Sequence, residues 1–397
     1  MMRTALLAWD YPPSPSGLST AAREIAQGLA GQGCDVTVFT LDRTQTEMID
    51  GVRIIGCGIP VGSRVARLRK WAALGHLAAP LQFRRSVLRE HRTNPFDVVE
   101  ATNWYAPAAL LNGRNGFALV TRNSTPAAWS RGTDLSGRDR LDAWAADRLE
   151  SRQAAASSGL ISNTDEHGRR IIELYGIETD TPRRTIGLSL PPALLQQARL
   201  APYPAIDTPI NIVFVGRAEA RKGFAELMGA IELLAAELAD GNLPRFRIDL
   251  LGVPPDDLPA DLSAAARAAV TALGRQPDDV LHRLYRQAHV VVAPSRYESF
   301  GLVYQEAIAF GRPVVASAED PSAREFIGST GAGLLAERTA PAEIASALRA
   351  ILTSPQLREQ LHACAKLAAG RFDRPYLGRE TIALYREAIA RSKQVAL

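Results

Sequence analysis

Two glutamates, Glu298 and Glu306, are separated by seven residues and follow an apolar run. Gly301 lies between them, where it lets the chain turn and lets a ligand approach the backbone. The residues around Glu298 predict a loop, and those after Gly301 predict a helix. The first amides of that helix, on Gly301, Leu302 and Val303, lie at the positive end of its dipole. They are suited to bind an anion or a sugar hydroxyl.

The spacing of the two glutamates bears on what they can do together. If all the residues between them were helical, they would lie about 12 Å apart along the axis. Carboxylates that act on one glycosidic bond are roughly 5–9.5 Å apart. We therefore expect Glu298 and Glu306 to grip two different sets of hydroxyl groups. The alternative is structural, with Glu298 as a helix-start charge and Glu306 as a solvated helical residue.

Basic residues follow another apolar run, 210–215, in the order Gly216, Arg217 and Lys222. Gly216 allows a tight exit from a strand. Beyond it, Arg217 could bind a diphosphate through a bidentate fork and Lys222 as a point charge. Basic residues are common near strand ends, so this pattern is informative only in combination with others.

The first half of the chain offers a second candidate site. A proline-rich loop follows the apolar run 4–9, and Gly17 in that loop precedes a helix that extends to about residue 29. The helix N-terminus suits a phosphate, and the alternative is an ordinary strand-to-helix turn. Two later loops carry polar and aromatic groups suited to sugar recognition, namely Asn103, Trp104, Tyr105 and Ser124.

Short apolar runs alternate with helical patterns along the chain. This alternation predicts a doubly wound α/β fold whose parallel strands are covered on both faces. Five prolines between residues 190 and 209 resist helix and sheet, and they predict a domain boundary near 187–208. Two such domains predict a ligand cleft between the carboxyl ends of their sheets. The predicted strands are 4–9, 36–40, 52–55, 96–101, 118–121, 160–162, 210–215, 248–251, 290–293 and 313–317.

The composition is that of an average soluble protein, with 46% hydrophobic and 22% charged residues. No run of about 20 apolar residues predicts a membrane span, and the start of the chain is too short and too polar for a signal peptide. Three widely spaced cysteines indicate neither disulfides nor a zinc site. These features lead us to expect a cytoplasmic protein.

The segment 64–92 is unusually basic, with eight Lys or Arg residues against Glu90 alone. Because apolar residues are interleaved with the charges, the segment could lie on the anionic inner face of a membrane. The alternative is a solvated helical face whose apolar side packs inward. The net charge of +4 does not argue for nucleic acid as a partner.

In combination, the motifs of the second half closely resemble the retaining GT-B glycosyltransferases of family 4. The matching positions are Gly216-Arg217, Lys222-Gly223, Pro294-Ser295, Glu298 to Glu306, and Gly311-Arg312-Pro313. The resemblance implies a GT-B fold, in which two doubly wound Rossmann-like domains face each other across a cleft. The implied parts are an acceptor-side domain over 1–190, a nucleotide-sugar-binding domain over 208–372, and a C-terminal helix over 373–397 that crosses back.

The resemblance also implies which residues bind the donor nucleotide. Arg217 and Lys222 would neutralise the donor diphosphate, beside Gly216 and the Gly17 loop. Glu306 would hold the ribose hydroxyls.

Other residues would contact the sugars. Glu298, with the backbone amides of Phe300, Gly301 and Leu302, would hold the hydroxyls of the donor sugar. Many relatives have a histidine where this chain has Ser124, and a glycine where it has Ser16. Expected on the acceptor or sugar side are Asn103, Trp104, Tyr105 and Ser124.

The implied reaction is the retaining transfer of a hexose-type sugar from a nucleotide diphosphate sugar to an acceptor hydroxyl, with a donor phosphate oxygen taking the acceptor's proton. The acceptor could be a glycan, a lipid-linked sugar or a small molecule. No two aspartates are separated by a single residue, so the Asp-x-Asp metal motif of many transferases is lacking. We therefore expect no metal and no cofactor, with cationic side chains and helix ends stabilising the leaving group.

Other function classes stay open at this point. A dinucleotide-dependent oxidoreductase would need Gly-x-Gly-x-x-Gly between the first strand and helix, and the Gly17 loop lacks it. The nearer alternative is another GT-B enzyme, such as a sugar-nucleotide epimerase or a phosphorylase. A non-catalytic protein that binds nucleotide sugars is the third. Product analysis with the donor alone separates these classes, because an epimerase needs no acceptor.

Overall fold

The computed structural model describes residues 1–14, 16–111, 115–131, 135–177, 180–205, 209–369 and 373–395. The chain divides into unit 1, which comprises Met1–Ser189 and Asp373–Leu397, and unit 2, which comprises Leu190–Phe372. The predicted domain limits at residues 208 and 372 lie outside the described residues. In the described part of the chain, no helix is both long and apolar enough to cross a membrane.

Unit 1 contains an eight-stranded sheet. Its strands are β1 (Arg3–Ala8), β2 (Asp35–Thr40), β3 (Thr46–Ile49), β4 (Val52–Gly56), β5 (Val98–Thr102), β6 (Ala118–Asn123), β7 (Gly159–Ser162) and β8 (Arg183–Thr185). The spatial order is β3-β4-β2-β1-β5-β6-β7-β8, and only the β3–β4 pair is antiparallel. The inner strands are buried because helices cover both faces of a sheet of this kind.

The helices that connect these strands are α1 (Gly17–Ala30), α2 (Arg64–Leu68), α3 (Ala78–Thr93), α4 (Ala127–Ser130), α5 (Gly137–Ala155) and α6 (Asp165–Tyr175). Phe83 and Val87 of α3 pack into a core with Leu7 of β1 and Phe39 of β2. The apolar side of α3 therefore packs inward, as the structural alternative for segment 64–92 proposed.

Unit 2 contains a six-stranded parallel sheet. Its strands are β9 (Ile210–Val215), β10 (Phe246–Leu251), β11 (Val270–Gly274), β12 (Val290–Ala293), β13 (Val314–Ser317) and β14 (Gly333–Ala336), in the order β11-β10-β9-β12-β13-β14. Ile212 and Phe214 of β9 pack in the main core of the unit with Ile231 and Leu348, which lie on connecting helices. The predicted doubly wound, Rossmann-like architecture is confirmed in both units.

One expectation about unit 2 is wrong. The prolines between residues 190 and 209 were expected to resist helix, yet Pro192–Arg199 forms the helix α7. Pro192 begins that helix, where proline is tolerated because the first amides have no partner within the helix. The remaining helices of unit 2 are α8 (Phe224–Ala239), α9 (Ala264–Ala269), α10 (Asp278–Gln287), α11 (Leu302–Ala309), α12 (Pro321–Ala323), α13 (Pro341–Thr353) and α14 (Pro355–Ala368).

The last helix, α15 (Arg374–Val395), returns to unit 1 and packs against α1. The two helices approach closely at Gly28 and Gly378, where a Cβ atom on Gly378 would lie 2.2 Å from the Gly28 carbonyl oxygen. The buried carboxylate of Glu24 in α1 accepts two hydrogen bonds from Arg374, at 2.9 and 2.6 Å. Tyr385 donates a hydrogen bond of 2.7 Å to the buried Glu100 of β5.

Candidate active site

Residues at the carboxyl ends of three neighbouring strands of unit 2 come together, and two of them, Lys222 and Glu298, were predicted. β12 is paired in parallel with β9 on one side and with β13 on the other. Their carboxyl ends therefore lie at one edge of the sheet, which is where ligands of such folds bind. The loop after β9 carries Lys222, the loop after β12 carries Glu298, and the loop after β13 carries Asp320.

Lys222 and Glu298 form an ion pair between two of these loops. Lys222 Nζ lies 2.6 Å from Glu298 Oε1, and the Arg221 guanidinium lies 3.1 Å from the same oxygen. The Lys222 and Glu298 side chains are only 17% and 14% exposed, so solvent screens their attraction less than on an open surface. The structure thus brings two of the predicted catalytic residues together and adds Arg221 to them.

The charges around Glu298 keep its carboxyl ionised. Burial raises the pKa, but the positive charges of Lys222 and Arg221 outweigh burial and leave the pKa below its usual value. Because two cations surround one carboxylate, the cluster keeps positive charge that an anionic ligand can use.

Glycine explains how the Lys222 loop reaches the Glu298 loop. Gly223 has a φ of 65°, and a Cβ atom there would lie 2.3 Å from the Pro294 carbonyl oxygen. A larger residue would force the loops after β9 and β12 apart. The Arg296 amide also donates to the Arg221 carbonyl oxygen at 2.9 Å, which joins the loops through their backbones.

Gly216 has a similar role at the end of β9. Its amide donates to the Leu251 carbonyl oxygen at 2.9 Å, which continues the pairing with β10. A Cβ atom on Gly216 would lie 3.1 Å from the Phe214 ring and 3.6 Å from Lys222 Cδ. Gly216 thus leaves room for the Phe214 ring, while a Cβ atom would be in ordinary contact with the stem of Lys222.

Arg217 lies apart from this cluster. Its guanidinium is 2.8 Å from Glu219 and its side chain is 75% exposed. The structure does not bring it into the Lys222–Glu298 pair, so its contact with a diphosphate stays a prediction. A long exposed side chain can still turn towards an anion without breaking a buried contact.

The helix that follows Glu298 begins as expected. Gly301 has a φ of 71°, and a Cβ atom there would lie 2.3 Å from the Tyr304 ring, so the position requires glycine. The amides of Leu302 and the residue after it belong to the first turn of α11, which has no intrahelical acceptor for them. The Phe300 side chain is buried against Phe326, with ring centroids 5.2 Å apart, so only its backbone can face a ligand.

Glu306 lies inside α11 and contacts a different element from Glu298. Its Oε2 accepts a hydrogen bond of 2.8 Å from the hydroxyl of Tyr285, which is fully buried in α10. The pKa of Glu306 is raised to about 7, mainly by burial. The negative charge of Asp278 also raises this pKa, and the hydrogen bond from Tyr285 lowers it. A carboxyl group with this pKa is partly protonated near neutral pH. A ligand that donates hydrogen bonds to it favours the ionised form.

In unit 1, Gly17 is the first residue of α1, whereas the sequence placed it in the loop just ahead of the helix. Ser16 caps the helix, because its Oγ accepts a hydrogen bond of 2.9 Å from the Ser19 amide. The loop before the helix is held by residues after β2, where Asp42 accepts from the Tyr11 amide at 3.1 Å and Arg43 donates to the Tyr11 carbonyl oxygen at 2.6 Å. The first turn of α1 is thus rigidly placed.

Three buried polar atoms in this part of the chain have no hydrogen-bond partner among the described residues, namely Asp10 Oδ1, Tyr11 Oη and Ser19 Oγ. Tyr11 and Ser19 are fully buried, and a carboxylate oxygen such as that of Asp10 repels a phosphate. The phosphate role of the Gly17 loop therefore stays a prediction.

The acceptor-side residues Asn103 and Ser124 are joined by hydrogen bonds. Asn103 Oδ1 accepts from the Ser124 amide at 2.6 Å and from its hydroxyl at 3.0 Å. The Asn103 amide donates at 3.1 Å to Tyr175, whose hydroxyl donates to Glu150 at 2.7 Å. Asn103 is fully buried, so it positions Ser124 and contacts no ligand itself in this arrangement.

Trp104 and Tyr105 form an aromatic surface beside this network. The Trp104 ring lies edge-on to Trp9 and to Tyr105, with centroids 6.2 and 4.9 Å apart. Tyr105 stacks on His76 at 5.5 Å with an interplanar angle of 4°. Tyr105 has a φ of 51°, and its amide donates to the buried Glu150 at 2.8 Å, which holds this left-handed turn.

Four residues of these sites, namely Arg221, Tyr285, Glu150 and Asp320, were not assigned a role from the sequence. Arg221 could have been found, because it stands next to Lys222 and carries the same charge. Tyr285 and Glu150 lie on helices outside every motif, and nothing in their local sequence indicates a polar partner.

The groups able to bind an anion are cationic side chains and backbone amides. They are Lys222, Arg221 and the first amides of α1 and α11. Within the residues that the structure describes, no group of three or more His, Cys, Asp or Glu side chains is placed to hold a metal ion.

Comparison with known proteins identifies the family. Residues 16–186 match the family model described as glycosyl transferase 4-like domain, and residues 198–367 match glycosyl transferases group 1. A protein named D-inositol 3-phosphate glycosyltransferase, from Geodermatophilus obscurus, is 30% identical over 391 residues, which cover 90% of this chain and 81% of the relative. D-inositol 3-phosphate glycosyltransferase 1 from Catenulispora acidiphila is 30% identical over 420 residues, which cover 97% and 94%.

A solved structure agrees with these matches at the level of the fold. Sucrose-phosphate synthase from Thermosynechococcus elongatus superposes with a TM-score of 0.71 at 21% identity, over 98% of this chain and 100% of that one. The motifs, the two family models and the relatives at 30% identity agree. This chain belongs to the GT-B glycosyltransferases of family 4 and is a sugar-transferring enzyme.

Proposed function

We propose that this glycosyltransferase moves a hexose-type sugar from a nucleoside diphosphate sugar to an acceptor hydroxyl, without a metal and with retention of anomeric configuration. The observation that carries the proposal is the contact of Lys222 and Arg221 with Glu298 at the carboxyl ends of β9 and β12. One cluster thereby offers cations for a diphosphate and a carboxylate for sugar hydroxyls.

The charges suit the departure of a diphosphate. As the anomeric bond breaks, negative charge grows on the leaving group, and fixed positive groups stabilise it without reorganising. Glu298 already holds Lys222 in place, and the first backbone amides of α11 follow Glu298 closely in the sequence. In unit 1, the first turn of α1 offers a helix N-terminus, which is a common binding site for phosphates.

The state of Glu298 supports retention through the donor itself. A carboxylate whose pKa is lowered by two cations is a weak base and a weak nucleophile. Glu298 is therefore suited to orient the sugar and unsuited to take the acceptor's proton. In the proposed reaction a phosphate oxygen of the donor takes that proton, and the acceptor oxygen attacks from the face that the diphosphate leaves.

The acceptor carries at least one hydroxyl group. The relatives from Geodermatophilus obscurus and Catenulispora acidiphila are named for D-inositol 3-phosphate, and we include this polyol as the first acceptor to test. The aromatic surface of Trp104 and Tyr105 offers apolar faces of the kind on which sugar and polyol rings pack.

The test is a transfer assay with the purified chain. It is incubated with UDP-glucose, UDP-N-acetylglucosamine or GDP-mannose, with and without inositol 3-phosphate or simple sugars, and nucleoside diphosphate release and product configuration are measured. The proposal expects release that depends on the acceptor, persists in EDTA and gives the donor's anomeric configuration. Complete loss in EDTA, an inverted product, or epimerised donor without acceptor would each contradict it.

We also propose that unit 1 contacts an anionic membrane surface through the turn between α2 and the residues before α3. Trp71 and Leu74 in this turn are 66% and 47% exposed. Eight exposed basic residues lie in the same segment, 64–92, namely Arg64, Arg67, Arg69, Lys70, Arg84, Arg85, Arg89 and Arg92. Exposed aromatic and aliphatic groups amid positive charge match the requirements of an interfacial contact.

Vesicle binding tests this second proposal. The chain should co-sediment at low salt with vesicles that contain phosphatidylglycerol and stay in solution with pure phosphatidylcholine. Replacing both Trp71 and Leu74 by Ala should weaken the binding, while the same change at exposed Leu367 of unit 2 should not. Equal binding to both vesicle types, or none to either, would refute the membrane contact.

A further inference from the structure

Asp320 lies in the turn after β13 and belongs to none of the motifs that the sequence singled out. It is fully buried. Its Oδ1 accepts hydrogen bonds from the backbone amides of Glu298 at 3.0 Å and Ser322 at 3.1 Å. Its Oδ2 accepts a hydrogen bond of 2.7 Å from the Tyr304 hydroxyl. One carboxylate thus joins the Glu298 loop, the helix α11 and its own turn.

The same turn holds the other side of the Glu298 peptide. The Ser322 hydroxyl donates to the Glu298 carbonyl oxygen at 2.7 Å. Both backbone groups of Glu298 are therefore fixed by residues after β13, while its side chain is fixed by Lys222 and Arg221. The backbone and the side chain of Glu298 therefore both have partners that fix the direction of its carboxylate.

A role in stability alone does not account for Asp320. Burying a second carboxylate close to Glu298 is unfavourable, and burial together with the charge of Glu298 raises the pKa of Asp320 to about 7. Capping the short helix α12 requires only an oxygen that accepts from the Ser322 amide, which a serine could provide. The contacts to Glu298 and Tyr304 go beyond what a cap needs.

We propose that Asp320 is a positioning residue for sugar recognition, because it fixes the backbone of Glu298 so that the Glu298 carboxylate meets the hydroxyls of the donor sugar. This inference rests on the proposed function of Glu298. Asp320 itself touches no substrate. It acts on the part of the donor that Glu298 grips, and its own hydrogen bonds go to neither Lys222 nor Glu306.

This separation gives a measurable signature. In Asp320→Ala, both acceptor oxygens are removed, so the backbone amides of Glu298 and Ser322 lose their partner. The variant should bind the nucleoside diphosphate as the unmodified chain does and bind the nucleotide sugar more weakly. A general loss of packing would weaken both ligands together.

The experiment is a calorimetric titration of the full chain with UDP and UDP-glucose, and with GDP and GDP-mannose, using whichever pair the unmodified protein binds. The measured quantity is the Kd of the nucleotide sugar divided by the Kd of its diphosphate. Asp320→Ala should raise this ratio by about tenfold, the effect of one lost hydrogen bond to a charged or fixed polar group. Asp249→Ala, at another buried aspartate of unit 2, should leave the ratio unchanged.

A second variant covers the case in which Asp320→Ala does not fold. Asp320→Ser keeps an oxygen for the Ser322 amide but cannot reach the Glu298 amide and Tyr304 together, and it should raise the ratio as well. An unchanged ratio in either folded variant, or equal weakening of both ligands, overturns the inference. Glu298→Gln separates the two proposals. If this variant also leaves the ratio unchanged, the proposed role of Glu298 fails. If Glu298→Gln raises the ratio and the Asp320 variants do not, only the role of Asp320 fails.

Discussion

The candidate residues of unit 1 and those of unit 2 are held in place by different forces. In unit 2, the Glu298 carboxylate forms ion pairs with Lys222 and Arg221. In unit 1, Asn103 and Ser124 are held by neutral hydrogen bonds. The same network includes the carboxyl group of Glu150. Burial raises the pKa of this carboxyl to about 6, although the hydrogen bond from Tyr175 lowers it.

This difference matches two different tasks. Fixed charges respond strongly when a ligand gains or loses charge, because electrostatic terms are large where water is partly excluded. Neutral hydrogen bonds and aromatic faces instead define shape and polarity. We infer that the unit 2 cluster acts mainly on the rate of bond breaking, and that the unit 1 network acts mainly on recognition of a neutral acceptor group.

The largest expected effect is on the charged cluster. Lys222→Ala or Glu298→Ala should lower kcat/KM for transfer by about tenfold to a hundredfold, because each removes a preorganised charge from the site. Circular dichroism should show that the fold is intact. Arg338→Ala, which removes an exposed cation elsewhere in unit 2, should leave the rate unchanged. Rates within twofold of the unmodified enzyme for both site variants would contradict the role of the unit 2 charges in bond breaking.

The next effect is a pH dependence in nucleotide binding through Glu306. With a pKa of about 7, its carboxyl is largely protonated at pH 6 and ionised at pH 8, and only the ionised form accepts two ribose hydroxyl bonds. Affinity for the nucleotide should therefore rise by about tenfold from pH 6 to pH 8. Stability of the ligand-free protein changes in the opposite direction, since a raised folded-state pKa gives stability that is lost as pH rises through it.

Glu306→Gln provides the control for this prediction. The variant removes the titrating group while keeping the shape of the side chain, and any titration of the nucleotide's own phosphates stays the same. The difference between the two pH profiles should therefore isolate Glu306. Parallel profiles from pH 6 to pH 8 would show that Glu306 does not contact the nucleotide.

A smaller and different effect is expected in unit 1. Asn103→Ala leaves the Ser124 loop without its buried acceptor, which should raise the acceptor KM by roughly fivefold and leave donor affinity unchanged. The free energy of unfolding should fall by about 1–3 kcal/mol, because buried partners lose a hydrogen bond. Asn94→Ala, at the end of α3, is the control. A fall in kcat with no change in acceptor KM would argue that both units act on the same step.

The smallest effect concerns the basic surface of segment 64–92. Replacing Trp71 and Leu74 by Ala should leave transfer to a soluble acceptor unchanged, because both side chains are exposed. With an acceptor embedded in anionic vesicles, the same double variant should be slower. An equal loss with the soluble acceptor would indicate that the turn supports the acceptor loop through His76 and Tyr105 instead of a membrane.

The strands show what the sequence can and cannot reveal about this fold. All ten predicted strands exist, because they lie inside the sheets and are apolar on consecutive residues. The four strands that were not predicted, β3, β8, β11 and β14, are the outer strands of the two sheets. They are partly exposed, and β3, β8 and β11 contain polar residues, while β14 is a short Gly-Leu-Leu-Ala run. Their extended state therefore comes from pairing with a neighbour rather than from their own pattern.

The sites divide in a similar way. Glycines and charges next to buried strands indicated Lys222, Glu298 and the start of α11, because these residues are close to the strands that place them. Asp320 and Tyr285 could not be found in this way. They reach the site from other elements, and only the folded sheet shows that the turn after β13 lies against the loop after β12.

The central claim is that Lys222, Arg221 and Glu298 together bind a diphosphate and the sugar attached to it. The most direct measurement is a crystal structure of the chain with the nucleotide sugar that it binds. The account predicts the diphosphate within hydrogen-bond distance of Lys222 and a sugar hydroxyl on Glu298. A nucleotide sugar bound away from the carboxyl ends of β9 and β12, with the Lys222–Glu298 pair untouched, would contradict it.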